Sequence, residues 1–100
     1  MIELNHRFKR SEDLVTRRIA GETILVTVRS NVADLDSVYT LDEVGSRIWE
    51  LLDGRHSLGQ IAEAIEREYQ VERDQARGDV AEFIAALRQA GLVQAGDGRG

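Results

Sequence analysis

The chain has 100 residues, 42% of them hydrophobic, which is enough for one small domain and too few for a second core. It contains no cysteine, which excludes disulfides, thiolate-bound metals and a cysteine nucleophile, and no apolar run approaches the roughly 20 residues of a membrane span. Acidic and basic residues are balanced through Thr40, six of each, and the remaining twelve acidic and seven basic residues carry the whole net charge of −5. We therefore expect one cytoplasmic domain with no nucleic-acid or membrane partner.

The first third of the chain predicts a β-hairpin after a loose start. Residues 1–13 lack periodicity, and we expect a flexible N-terminal segment there. "LVTRRIA" and "TILVTVR" then follow with period two, separated by "GE" as a turn. Ile24, Val26 and Val28 share one face of the second strand, which should face the core. After a polar stretch, "SVYT" predicts a short third strand.

The segment "YTLDEVGSRIWELLDG" predicts the first helix. Thr40 and Glu43 form a T-x-x-E capping box, apolar residues then recur at helical spacing, and Gly54 supplies a left-handed cap. Trp49 lies beside the apolar stripe, where core packing is favoured over a half-exposed interface position.

Two further helices complete the predicted fold. A second capping box, Ser57 with Gln60, opens the second helix, and the third begins at about Arg73 and ends at Gly91. Gly78, inside the third helix, should cost about 1 kcal/mol relative to alanine, so either the helix starts later or something approaches closely there. The fold class is α+β, with an N-terminal three-stranded antiparallel sheet followed by three helices. The domain spans residues 14–94, and residues 95–100 form a disordered tail.

The residue pattern does not support catalysis or a metal site. The scattered serines and threonines have no positioned base, and His6 and His56 lack the spacing of metal ligands. Glu63, Glu66 and Glu68 fall on the charged outer face of a helix rather than in an acid–base pair. We expect no enzyme activity and no cofactor.

A DNA-binding regulator is the alternative function, because three short helices beside a small sheet are the parts of many winged-helix DNA readers. Charge argues against it, since a helix that enters the DNA groove should be basic. The third helix carries the acidic residues Glu72, Asp74, Asp79 and Glu82 against the basic residues Arg73, Arg77 and Arg88. The chain after Leu92 is also too short for a hairpin wing.

Peptide binding fits the layout better. If "SVYT" lies at a sheet edge beside the third helix, an extended peptide can add to it through main-chain hydrogen bonds, with alternate side chains on an apolar floor. The same edge can instead pair with its own copy, so the chain is expected to be a monomer or a homodimer.

The stretch from about Val15 to Val93 resembles the PqqD family, the leader-peptide recognition domains of ribosomally made, modified peptides. The resemblance rests on "LDEVGSRIWELLDG", "IAEAIEREY" and "DVAEFIAALRQAGLV". It implies a non-catalytic, winged-helix-like module that binds the leader of a precursor peptide along strand three and against helix three. It also implies a modifying enzyme as partner, such as the radical SAM protein of pyrroloquinoline quinone synthesis. The "RSNVADLDSVY" loop resembles the wider set of PqqD-like modules, which includes those serving lasso peptides.

The resemblance, carried over residue by residue, implies a set of peptide-binding residues. In strand three they are Ser37, Val38, Tyr39 and Thr40, and in helix three they are Ala76, Asp79, Val80, Phe83 and Ala86. The alternatives are hairpin closure with Tyr39 stapled onto the first helix, a core position for Phe83, and a solvated Asp79 in place of a partner for a basic leader residue. Arg17 and Arg18 are expected on a solvated strand face.

Overall fold

The computed structural model describes residues 4–12, 14–27 and 38–95, which form six strands and three helices. In chain order the elements are β1 (Arg7–Arg10), β2 (Leu14–Ile19), β3 (Glu22–Thr27), β4 (Val38–Leu41), α1 (Glu43–Leu51), β5 (Asp53–Ser57), α2 (Leu58–Tyr69), α3 (Arg73–Gln89) and β6 (Val93–Ala95). The α+β class and the three helices agree with the sequence prediction, but the strands form two three-stranded antiparallel sheets within the described residues.

The first sheet is the predicted hairpin extended by β4, in the order β2-β3-β4. Its turn falls on Ala20 and Gly21, whose φ values are both positive, 52° and 86°. Two successive positive φ values mark a type I′ turn, whose twist matches that of the strands it joins. The turn therefore lies one residue earlier than the predicted "GE".

The inward face of β3 is the opposite of the predicted one. Thr23 and Leu25 are fully buried, whereas Ile24 and Val26 are half-buried on the other face, and Val28 lies outside the described residues. Successive side chains of a strand point to opposite faces, so an error of one residue exchanges them. Both faces of β3 carry apolar side chains, and the period alone does not decide which of them the helices cover.

The second sheet, in the order β5-β1-β6, is absent from the sequence prediction. The expectation of a flexible segment over residues 1–13 is wrong for Arg7–Arg10, which form the central strand. Phe8 in this strand is 1% exposed, and the Leu58 N–H at the start of α2 donates to the His6 carbonyl at 2.8 Å. The stretch "RFKR" has one apolar residue and hence no period to detect, and its partner strands come from distant parts of the chain.

The C-terminal end closes this sheet. Val93–Ala95 form β6, antiparallel to β1, with Val93 opposite Arg10. Ala95, expected in the disordered tail, is therefore in a strand, and residues 96–100 lie outside the described residues. Three residues suffice for a strand here because β1 is already in place to pair with them.

Asp42, and not Thr40, caps α1. The Asp42 Oδ1 accepts a hydrogen bond from the Gly45 N–H at 2.8 Å. β4 continues through Leu41, and the helix begins only at Glu43. Thr40 is held in the strand, so the predicted T-x-x-E capping box does not form.

The start of α2 and the end of α3 are as predicted. The Ser57 and Gln60 side chains form the capping box, with hydrogen bonds of 3.2 and 2.9 Å. At the end of α3, Gly91 has a φ of 80°, and the Leu92 N–H donates to the Leu87 carbonyl at 2.9 Å. This is the Schellman arrangement, which satisfies carbonyls that the helix leaves free.

One hydrophobic core joins both sheets to the helices. Trp49 is 3% exposed and belongs to it, which confirms the core prediction. The large apolar side chains that are fully buried are Phe8, Leu25, Leu52, Leu58, Ile61, Val80, Ile84 and Leu92. Within the described residues, no helix has the length and apolarity needed to cross a membrane.

A network of exposed ion pairs ties β2 and α2 to α1. Arg18 of β2 contacts Glu50 of α1, and the Arg47 Nε of α1 lies 2.9 Å from the Glu68 Oε1 of α2. The hydrogen bond from Arg47 lowers the pKa of the Glu68 carboxyl. Because these groups are exposed, the pairs orient the elements more than they stabilise them.

Candidate functional site

The candidate site is a groove between the edge of β4, the start of α1 and α3. Its volume is about 500 Å³, within the range of roughly 300–1,000 Å³ that is common for ligand pockets. The residues that line it are Thr40, Leu41, Asp42, Val44, Gly45, Ile48, Ile65, Val71, Asp79, Val80 and Phe83.

β4 supplies one wall of the groove. Among the described residues β4 pairs only with β3, so the backbone N–H and C=O groups on its other edge have no strand partner. Such an edge can accept an extended chain through main-chain hydrogen bonds. Leu41 is 6% exposed and Thr40 is exposed, and both stand at the groove.

α3 supplies the opposite wall through Phe83. Its ring lies so close to α1 that a Cβ built on Gly45 would stand 3.1 Å from the Phe83 Cζ and 3.2 Å from the Asp42 Oδ1. Both distances are shorter than ordinary carbon contacts, so the lack of a side chain at Gly45 lets the ring approach. Phe83 is half-buried, packed against the core and open to the groove.

The floor of the groove is apolar. Val80 of α3 is fully buried, and Ile48 of α1 and Ile65 of α2 are each 2% exposed. Val44 and Val71, half-buried, complete the lining, Val71 from the connection between α2 and α3. All three helices therefore contribute to the surface on which a bound side chain would rest.

The charge of the groove comes from two carboxylates, Asp42 and Asp79. Asp79 is exposed, with the Gln75 Nε2 3.5 Å from its Oδ2. In the part of the chain that the structure describes, neither carboxylate forms an ion pair. The lining contains no lysine, arginine or histidine, so the groove carries negative charge at neutral pH.

The lining residues supply binding groups rather than a catalytic constellation. Thr40 carries their only hydroxyl, and no histidine or lysine stands beside it to act as a base. Over residues 4–12, 14–27 and 38–95, no three His, Cys, Asp or Glu side chains converge as metal ligands.

Four residues from the predicted peptide-binding set, Thr40, Asp79, Val80 and Phe83, line the groove together. Val80 forms part of the floor and Phe83 part of the wall. Residues from strand three and helix three of the sequence prediction thus meet in one place, because α3 lies beside the edge that β4 presents.

The other predicted residues lie elsewhere. Tyr39 is 37% exposed and outside the lining, and Val38 pairs with Val26 of β3. Ala76 is fully buried in the core, Ala86 is exposed outside the groove, and Ser37 lies outside the described residues. Ala76 therefore supports the fold and does not reach the groove surface.

The contribution of α1 is what the sequence reasoning missed. Val44 and Ile48 are four residues apart and so share one helix face, but in sequence they read only as core positions. In the stretch "LDEVG", Asp42 could have indicated the cap of α1, and Gly45 could have indicated that another side chain packs closely against this helix. Ile65, on the second helix, carries no sequence signal that relates it to the site.

The fold and the groove define a class of protein, a small α+β module with an acidic, apolar-floored groove beside an unpaired sheet edge. The chain belongs to the PqqD family, since the family model described as coenzyme PQQ synthesis protein D matches residues 22–93. No curated protein is similar enough in sequence to count as a match.

Solved structures with this fold include two complexes with leader peptides. TbiB1 in complex with the TbiA(beta) leader peptide is 32% identical, with 86% of this chain and 94% of that chain covered and a TM-score of 0.73. A lasso peptide synthetase B1 complexed with its leader peptide is 23% identical, with 88% and 98% covered and a TM-score of 0.74. The PqqD part of Methylobacterium extorquens PqqCD, a stand-alone recognition element for ribosomally made peptides, is 17% identical, with 94% and 95% covered and a TM-score of 0.72. The last two support the fold alone.

Proposed function

We propose that this chain captures the leader segment of a precursor peptide as an added strand on β4 and presents it to a modifying enzyme of the radical SAM type or similar. The observation that carries the proposal is the groove, which has a volume of about 500 Å³. In it, the unpaired edge of β4 lies beside an apolar floor. TbiB1, which is 32% identical over most of both chains, is bound to a leader peptide.

The two parts of the groove have different tasks in this proposal. Main-chain hydrogen bonds along β4 supply affinity for any extended peptide, while the floor between α1 and α3 selects the side chains that enter it. The proposed binding set is the edge of β4 from Val38 to Thr40 with Asp79, Val80 and Phe83 of α3, extended by the lining of α1. Ala76 and Ala86 of the set implied by the resemblance are left out, because Ala76 is buried in the core and Ala86 lies outside the groove.

The module is not an enzyme in this proposal. The groove positions a peptide and offers no nucleophile with a base, so the chemistry belongs to the partner enzyme. The proposed arrangement is a winged-helix-like module that works in the cytoplasm and uses α3 to contact a peptide instead of DNA. The acidic groove would repel the phosphate backbone of a nucleic acid.

The proposal is tested by titrating the isotope-labelled protein with synthetic leader segments of the short peptides that are encoded near its gene. We expect backbone amide shifts at Val38–Leu41 and along α3 from Asp79 to Ala86, with a Kd of micromolar or below. A scrambled leader, which keeps the main chain but not the order of the side chains, should bind more weakly than the leader, and a DNA duplex should leave these amides unmoved. Shifts confined to the β5-β1-β6 sheet, or no shifts with any neighbouring peptide, would contradict the proposal.

A further inference from the structure

The spacing of α3 side chains along the groove matches the repeat of an extended peptide. Asp79 and Phe83 are four residues apart on α3 and both line the groove, so they are separated by about 6 Å along the helix axis. An extended strand repeats the same face every second residue, over roughly 6.6–6.8 Å. Where a peptide on β4 follows the direction of the α3 axis, two of its alternate side chains stand opposite these two residues.

The two positions differ in chemistry. The Phe83 ring stands over the apolar floor formed with Val80, and a large apolar side chain fits there. Asp79 presents an exposed carboxylate that forms no ion pair among the described residues, and its contact with the Gln75 amide is long, at 3.5 Å.

From this juxtaposition we propose that the module selects leaders that carry a lysine or arginine two residues from a large apolar residue, with the cation bound by Asp79 and the apolar side chain against Phe83. This rests on the proposed function, since it requires the leader to lie as a strand on β4. It goes further by giving the groove a charge preference and by making Asp79 the residue that sets it.

The physical reason is the cost of covering Asp79. A peptide laid along the groove removes water from one side of the carboxylate, and a neutral neighbour does not replace the lost hydration. A lysine or arginine can lay its apolar stem along the floor and bring its charged end to the carboxylate. Asp42, at the same groove, adds negative charge and repels acidic leader residues.

The test is a display selection of short randomised peptides on the immobilised protein. The wild-type protein should enrich lysine or arginine two positions from an aromatic or aliphatic residue. Asp79→Asn should lose the basic preference and keep the apolar one, and Asp79→Lys should enrich aspartate or glutamate instead. Glu63→Gln, which alters an exposed carboxylate of α2 outside the groove, makes the same change in net charge as Asp79→Asn and should select the wild-type peptides.

Binding measurements on one enriched peptide complete the test. Asp79→Asn should weaken its binding by about three- to tenfold, the effect of one partly shielded ion pair, and Glu63→Gln should leave it unchanged. Both variants should keep the wild-type melting temperature, since neither side chain is buried. If enriched peptides shift the amides of β4 and α3 but show no basic preference, or if the Asp79 variants select the same peptides, the inference is overturned and the proposed function stands. If no peptide is enriched, or if enriched peptides bind elsewhere, both fail.

Discussion

Gly45 shows how one missing side chain shapes the groove. The Phe83 ring occupies the space that a Cβ would need, at 3.1 Å, and Asp42 Oδ1 lies 3.2 Å from the same point. Both neighbours are side chains at the groove, so they can move by a few tenths of an ångström. Gly78 on α3 is the opposite case, because nothing lies within 4 Å of its Cβ position.

We expect Gly45→Ala to lower leader affinity while changing the free energy of unfolding by less than about 1 kcal/mol. The gain in helix propensity, about 1 kcal/mol, offsets the contact with Phe83, but the displaced ring narrows the groove. Gly78→Ala is the matched control, expected to raise the free energy of unfolding by about 0.5–1 kcal/mol with leader affinity unchanged. Urea unfolding and peptide titration measure the two effects, and equal leader affinity in the Gly45→Ala and Gly78→Ala variants would contradict the role of Gly45.

The helix α3 begins at Arg73, before Gly78, and nothing in the structure explains the glycine there.

Asp53 makes the stability of β5 depend on pH. Burial acts to raise the pKa of its carboxyl, but hydrogen bonds from the Arg55 N–H at 2.8 Å and from His56 outweigh it and lower the pKa to about 2 from the ordinary 3.8. A carboxyl with a lowered folded pKa stabilises the fold above its unfolded pKa, and this contribution is lost as pH falls through the folded value.

Between pH 3.8 and about pH 2, the wild-type protein should lose more stability than Asp53→Asn, since the amide does not titrate. Urea unfolding at a series of pH values measures the difference. If the free energy of unfolding falls equally in the wild-type protein and in Asp53→Asn over that pH range, other carboxyls account for the acid sensitivity.

At the scale of elements, a pair of buried hydroxyls joins β3 to α1. The Thr23 Oγ1 donates to the Ser46 Oγ at 2.7 Å, and the Ser46 Oγ lies 3.4 Å from the Leu41 carbonyl oxygen. Thr23 is 0% exposed and Ser46 is 2% exposed. The pair therefore ties the central strand of the first sheet to the helix and the strand that form the groove.

Ser46→Ala should cost about 1–3 kcal/mol of unfolding free energy, because it leaves the Thr23 hydroxyl buried without its acceptor. Adding Thr23→Val should recover part of that loss, since the double variant has no unsatisfied hydroxyl. Denaturant unfolding of the two single variants and the double variant gives the coupling free energy between Thr23 and Ser46. Strictly additive costs would show that the bond has no energetic role.

At the scale of the whole molecule, β1 decides where the domain begins. It is the central strand of the second sheet, it buries Phe8, and its Arg10 N–H and the following Ser11 N–H donate to carbonyls of Leu52 and Leu92. These contacts connect the start of the chain to its middle and its end. A domain that begins at residue 14 would expose the core beneath Phe8.

We expect a fragment of residues 4–95 to unfold cooperatively and a fragment of residues 11–95 to lose that transition. Phe8→Ala in the full chain should cost about 3–5 kcal/mol, a large part of the roughly 5–15 kcal/mol that holds a small domain together. Circular dichroism during thermal unfolding distinguishes the fragments. A transition in residues 11–95 at the temperature of the full chain would show that β1 is dispensable.

Local patterns in the sequence were enough for the features whose causes lie within a few residues. The β2–β3 hairpin follows from period-two segments around a turn, the start of α2 from Ser57 with Gln60, and the end of α3 from Gly91. Of the nine residues of strand three and helix three that were placed together, Thr40, Asp79, Val80 and Phe83 line one groove and the other five do not belong to its described lining.

Tertiary structure decided what depends on partners far apart in the chain. The β5-β1-β6 sheet pairs the start, middle and end of the chain, and its strands of three to five residues carry no period of their own. The face of β3 that packs inward depended on which side the helices cover, because both faces are apolar. The floor of the groove likewise combines Ile48, Ile65 and Val71 from separate segments, which only the packing of three helices brings together. A single sequence records the preferences of each segment, but the free energy of these contacts is gained only when distant segments meet.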